Sequence, residues 1–184
     1  TDATSGSSTA VSYWCGWNTV RHLLNIDATR PTMNATANSV TLFTFSGTDI
    51  FAKNLKTGKR AAETTTTGFS LTATHSFFGN LTSTANNTGM SISGGVNITV
   101  FNCFVDSSTG NGFSDSSSTG VRFIGCTAKL CSLAGFTIAN FNSTLLFCLA
   151  TGCTTDGFAS TGQGQVYINC TAYGNGSDGF SWSS

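Results

Sequence analysis

Along most of this chain one short phrase returns at a nearly constant interval. Gly-Phe or Gly-Met occurs at Gly68-Phe69, Gly89-Met90, Gly112-Phe113, Gly135-Phe136, Gly157-Phe158 and Gly179-Phe180, with 21 to 23 residues between successive anchors. A second marker keeps step with the first. Leu81, Cys103, Cys126, Cys148 and Cys170 each follow an anchor by 12 or 13 residues, and Leu55 extends the row back toward Phe45. Self-similarity at a period of roughly 20 to 50 residues marks a solenoid, in which each repeat buries its apolar side only against its neighbours.

A period near 22 fits one coil of three short strands, with Val, Ile, Phe, Thr and Cys at strand positions and Asn, Gly, Ser and Asp at the turns. No repeat has the length or charge pattern of a helix, and the dense Leu/Asn consensus of leucine-rich repeats is absent. The predicted fold is an all-β parallel β-helix of about six to seven coils with a period of 21–24 residues over residues 40–184, preceded by an N-terminal arm and cap or interface region at 1–39. Stacked coils about 4.8 Å apart turn equivalent residues into columns.

Those columns carry specific expectations. Phe69, Met90, Phe113, Phe136, Phe158 and Phe180 form an inner stack, and Cys103, Cys126, Cys148 and Cys170 a second one. Strand alternation about the cysteines places Phe101, Ile124, Leu146 and Ile168 inside on one flank and Val105, Ala128, Ala150 and Ala172 inside on the other. Asn102, Gly125, Phe147 and Asn169 then point outward, and Phe123, Leu145 and Tyr167 join Phe147 as outward apolar residues open to lateral contact. The glycine before each anchor is expected to supply a positive φ at a turn.

The stretch Asn169-Cys170-Thr171-Ala172, followed by Asn175 and Asp178-Gly179-Phe180, resembles the degenerate repeat of the pectin-lyase-like superfamily. The resemblance extends over about residues 40 to 184 and implies a right-handed parallel β-helix. It says little about function, since that fold serves lyases, hydrolases, phage tailspikes, adhesins and structural proteins. Enzymes of the superfamily combine clustered carboxylates, often calcium-bound, with a basic residue. Of the motifs of its polygalacturonase-like branch, Asp-Asp, Gly-His-Gly and Arg-x-Lys do not occur here.

Composition narrows the function classes. Only 9% of residues are charged and the net charge is zero, so there is no basic footprint for nucleic acid. No apolar run is long enough to span a bilayer, and with Thr1 first no leader peptide is read, so an exported chain is seen in its mature form. A Ser-, Thr- and Asn-rich surface with little charge offers weak protection against self-association. Seven sequons mark candidate N-glycosylation sites at Asn34, Asn80, Asn86, Asn97, Asn142, Asn169 and Asn175.

Tyr13, Trp14, Cys15 and Trp17 form a dense aromatic cluster, read as a cap over the open end of the solenoid or as a subunit contact. Val20 to Ile26 suits a short capping helix or a first strand. Lys53, Lys56, Lys59 and Arg60 gather half of the basic residues, read as a solvated turn or as a patch for an acidic partner. At the other end the last anchor is reached at Phe180, with Trp182 following and no polar cap, so this end is expected to need a cover. Tyr13, Trp14, Trp17, Phe180 and Trp182 are the expected interface residues.

Four of the seven cysteines are expected as buried thiols. Cys131 and Cys153, each five residues before an anchor in neighbouring coils, are the candidate disulfide. His22 and His75 stand alone. Asp156 and Asp178 share one position in successive coils, about 5 Å apart by the strand spacing, a separation that suits a retaining-glycosidase pair or a calcium ion but that the favour of Asp before Gly in turns explains as well. No catalytic residue, metal site or cofactor is assigned. The expected function is that of an extracellular or cell-surface structural protein, a β-helix subunit that stacks head to tail into a filament or sheath as a homo-oligomer and carries glycans. The other readings are a glycan-binding adhesin or phage-tail module, using aromatics such as Tyr167 and Tyr173, and, behind it, a polysaccharide lyase or hydrolase.

Overall fold

The computed structural model describes residues 22–25, 32–35, 40–59 and 66–183, with the side chains of 22–25, 32–35, 40 and 59 left out. Among these residues the chain is built of strands alone, arranged in three parallel sheets of seven strands each. Every coil gives one strand to each sheet; in a central coil these are Arg122–Ile124, Thr127–Lys129 and Phe136–Ile138. The register between coils never slips: Phe113 faces Phe136, then Phe158, then Phe180. The sheets begin upstream of residue 40, because His22–Asn25 pairs with Ile50–Lys53 and Thr32–Ala35 with Lys56–Lys59. His22–Asn25 therefore takes the strand alternative. The first described anchor is Phe43, opposite Phe69, whereas Phe45 lies opposite Leu71.

The expected Phe column is the spine of the core. Rings of Phe113, Phe136, Phe158 and Phe180 stack nearly parallel with centroids 4.6 to 4.8 Å apart. Cys103, Cys126 and Cys148 are buried as expected, and so are Val105, Ala128 and Ala150. One flank, however, is reversed. Phe101 and Ile168 are exposed and Ile124 and Leu146 half-buried, while Val100, Phe123 and Leu145 are fully buried and Tyr167 packs against the core. The cause lies in the backbone one residue before each cysteine. Asn102, Gly125, Phe147 and Asn169 have φ of +49° to +63°, so the strand ends there and its alternation does not carry through to the cysteine. The inward residue is three positions before Cys, not two.

This corner is one of three. Asp49, His75, Asn97, Gly120, Asn142 and Gly164 turn the chain into the first sheet, and Ala85, Ser107, Leu130, Gly152 and Gly174 turn it out of the second, all with positive φ. Left-handed backbone favours Gly and Asn, whose Cβ is absent or whose side chain bonds locally. Phe147, at φ +54° and 60% exposed, pays that steric cost without burying its ring. Phe147→Asn is expected to stabilise the chain by about 1 kcal/mol, read as a higher urea midpoint with unchanged slope.

The glycines before the anchors play a different part from the one expected. None of Gly68, Gly89, Gly112, Gly135, Gly157 and Gly179 has a positive φ. A Cβ on Gly135 would lie 2.8 Å from the Gly157 carbonyl oxygen and 2.9 Å from the Ala150 Cβ; on Gly89 it would lie 2.3 Å from Val105. The coil is pinched here, and the small residues of the second sheet interlock with the glycine row.

Candidate functional site

Three places in the solenoid hold chemistry beyond packing. The first is the coil at residues 166–182. Strands Val166–Ile168, Thr171–Tyr173 and Phe180–Trp182 are the last in their sheets among the described residues. Tyr167 stands edge-on to Phe158, Phe180 and Trp182 at 5.8, 5.9 and 6.2 Å, and Phe180 stacks on Trp182 at 5.9 Å. Tyr167 is thus a half-buried member of the core end rather than a lateral surface residue, whereas Trp182 and Tyr173 are 65% and 73% exposed. Phe180 and Trp182 sit together as the sequence suggested. Tyr13, Trp14, Cys15 and Trp17 lie outside the described residues, as do Pro31, Arg60 and Glu63.

The second place is the thiols. All six described cysteines are free. In the inner row each S–H donates one coil back: Cys103 to the Phe78 carbonyl, Cys126 to Val100 at 3.3 Å, Cys148 to Phe123 at 3.5 Å and Cys170 to Leu145 at 3.4 Å. These thiols cap inner carbonyls where the corner interrupts the strand. Cys131 and Cys153 reach only the carbonyls of Lys129 and Thr151 at 3.7 and 3.8 Å. Their sulfurs interact with each other: the Cys131 S–H donated to Cys153 lowers the Cys153 thiol to about 7, and the same contact with burial raises Cys131.

The third was missed in the sequence. Asp115 is fully buried in a column between Ile92 and Ile138. Asn140 donates from Nδ2 to its Oδ2, and Ser143 Oγ lies 3.2 Å from the same oxygen. Burial pushes the carboxyl up to about 6, and hydrogen bonds from Ser118, Asn140 and Ser143 offset only part of that rise. Aligning the chain at its own period would have revealed one acid between two isoleucines.

Asp156 and Asp178 are neighbours in successive coils, as expected. Asp156 Oδ1 accepts from the backbone N–H of Asp178 at 3.1 Å, so the lower carboxylate caps the next coil. Asn111 does the same for Ala134 at 3.3 Å. His75 is an exposed corner residue, and the side chain of His22 is not described. Among the described residues no three His, Cys, Asp or Glu converge as metal ligands. Lys53 rests over the ring of Phe51, 5.9 Å from its centroid.

Of the sequons, Asn97, Asn142 and Asn169 are exposed at corners. Asn86 is fully buried, donates to Thr57 and Ser83 and accepts from Thr66, so it is closed to a glycan in the folded chain. Asn80 is half-buried in a ladder, donating to Asn54 and accepting from Asn102. Asn175 uses both ends of its amide, on Cys153 N and the Ala150 carbonyl. The side chain of Asn34 lies outside the described residues.

The three in-register sheets and inner columns define a right-handed parallel β-helix with the pectin-lyase-like fold. A solved structure described as a rhamnogalacturonan lyase superposes with a TM-score of 0.64 at 14% identity, covering 84% of this chain and 52% of that one. This chain therefore spans about half of that structure, and the likeness is one of fold. No protein-family model matches the sequence, and no curated protein does. Among the described residues no helix is long and apolar enough to cross a membrane.

Proposed function

We propose that this chain is an extracellular structural β-helix that works by coaxial stacking, head to tail, on further copies of itself. The observation that carries the reading is the constant register of all three ladders together with the aromatic step of Tyr167, Phe180 and Trp182, the last 65% exposed. A coil of the same cross-section is its geometric complement, since it continues three ladders and the ring column at once. The aromatic segment Tyr13, Trp14 and Trp17 is the candidate partner surface. Glycans at Asn97 and Asn142 would sit on corners clear of the 166–182 coil, whereas Asn169 is a corner of that coil itself.

Electron microscopy at rising concentration is the test. Fibres with an axial repeat of about 35 to 45 Å, some seven or eight coils, are expected. Trp182→Asp should leave particles of single-chain length, because a charge has no partner in the buried stack. Separate particles at every concentration would sink the reading. A second reading, glycan binding, is favoured by the exposed rings of Phe101, Phe104 and Phe147, which lie at or beside the corner next to the inner cysteines. Binding of oligosaccharides that is lost in Phe147→Asn would support it.

A further inference from the structure

We propose that Cys131 and Cys153 are a dithiol switch site that closes into an inter-coil disulfide and staples two neighbouring coils. The placement rests on register. Lys129 pairs with Thr151 two residues before the cysteines, and Phe136 pairs with Phe158 five residues after them, so the two hold the same position in successive coils. The backbone confirms this: Thr154 N donates to the Cys131 carbonyl at 2.8 Å, as Gly176 N does to Cys153 and Ser132 N to Ser108. Coil stacking brings their Cα atoms about 5 Å apart, inside the span a disulfide bridges.

What separates this pair from the other four thiols is occupation. Cys103, Cys126, Cys148 and Cys170 each hold a carbonyl one coil back, and a disulfide among them would strip those carbonyls of their donors. Cys131 and Cys153 donate to no carbonyl one coil back, lying near only the Lys129 and Thr151 carbonyls of their own coils, and they occupy the irregular segments between the second and third sheets, where backbone can adjust. Both are buried, at 1% and 2% exposure, so exchange proceeds through opening of this segment.

The chemistry requires an external low-molecular-weight disulfide as oxidant. The Cys153 thiolate attacks one sulfur of that disulfide and expels a thiolate, forming a mixed disulfide. Cys131, having lost its proton to solvent, then attacks the Cys153 sulfur and expels the second thiolate. The protein gives up two electrons and two protons, and the oxidant leaves as two thiols. The ionised partner is the one whose thiol the Cys131 S–H already favours.

The test is incubation of the folded, reduced chain with oxidised glutathione, followed by alkylation and peptide mapping. The expected result is a loss of two alkylatable thiols, a cross-linked peptide pair joining Cys131 to Cys153, and a rise of several degrees in Tm that dithiothreitol reverses. Cys131→Ser should stop at the mixed disulfide on Cys153, and Cys153→Ser should keep its remaining described thiols free. Full alkylation of both cysteines after the same treatment, with the circular dichroism of the native chain, would overturn the proposal. So would a cross-link within the inner row of four.

Discussion

Phe136→Ala is expected to destabilise the chain by about 3–5 kcal/mol, the cost of deleting a large, fully enclosed aromatic ring. Phe136 is wholly buried, stacked between Phe113 at 4.6 Å and Phe158 at 4.8 Å, with the edge of Phe123 6.0 Å away. The ring cannot be replaced by collapse from one side, because the coils above and below are held in register by three ladders. The comparison that checks this is Phe180→Ala, where the ring is only half-buried and the cost should fall to about half. Urea denaturation of both variants reads the difference. Equal losses would mean that the column is not the continuous core described above. The preceding residue offers a second handle: at Gly135 a single methyl group meets a backbone oxygen, and overpacking of this kind costs about 1–3 kcal/mol.

The second large effect is in pH. Asp115 binds its proton more tightly in the folded chain, its carboxyl rising from 3.8 to about 6. A raised folded-state value contributes stability at low pH that is lost as pH climbs through that value. The chain should therefore lose about 3 kcal/mol between about pH 4 and pH 6.5, and little more from this group above that. Asp115→Asn keeps an oxygen for the Asn140 and Ser143 donors but carries no charge. The variant should be the more stable protein at pH 7, with this part of the slope gone. Denaturation midpoints of both proteins across pH 4 to 8, compared pairwise so that other titrating groups cancel, settle the matter. A wild-type chain whose stability rises from about pH 4 to 6 relative to the variant would show that the carboxylate is favoured by its surroundings instead.

Much of the architecture was legible because a solenoid writes its cross-section into the chain once per coil. The Phe and Cys columns could be named from spacing alone, and both lie inside. What spacing could not show was where strands stop. A positive φ at Asn102, Gly125, Phe147 and Asn169 exchanges the inner and outer rows beside the cysteines, and only Asn and Gly among those residues advertise it. The glycine row was visible but its reason was not, since a tight approach between a glycine and Ala150 depends on a neighbour 15 residues away in the chain. Polar sites were legible where they repeat, as with Cys131 and Cys153. They were hidden where they occur once, as with Asp115. The sequons illustrate the same limit, because Asn86 and Asn97 read alike and only burial separates them.

The unbroken register gives the coil the standing of a reading frame. Removing one whole repeat, for example residues 126–147, would bring Cys148 into the place of Cys126 and Ala150 into that of Ala128. Every column would continue through the joint. Coils of 21 residues, from Phe69 to Met90, and of 26, from Phe43 to Phe69, keep the same columns, so the connections absorb a few residues, whereas a deletion inside a strand would turn its later side chains to the opposite face. Length is thus free to vary in whole-coil steps and, between strands, by single residues.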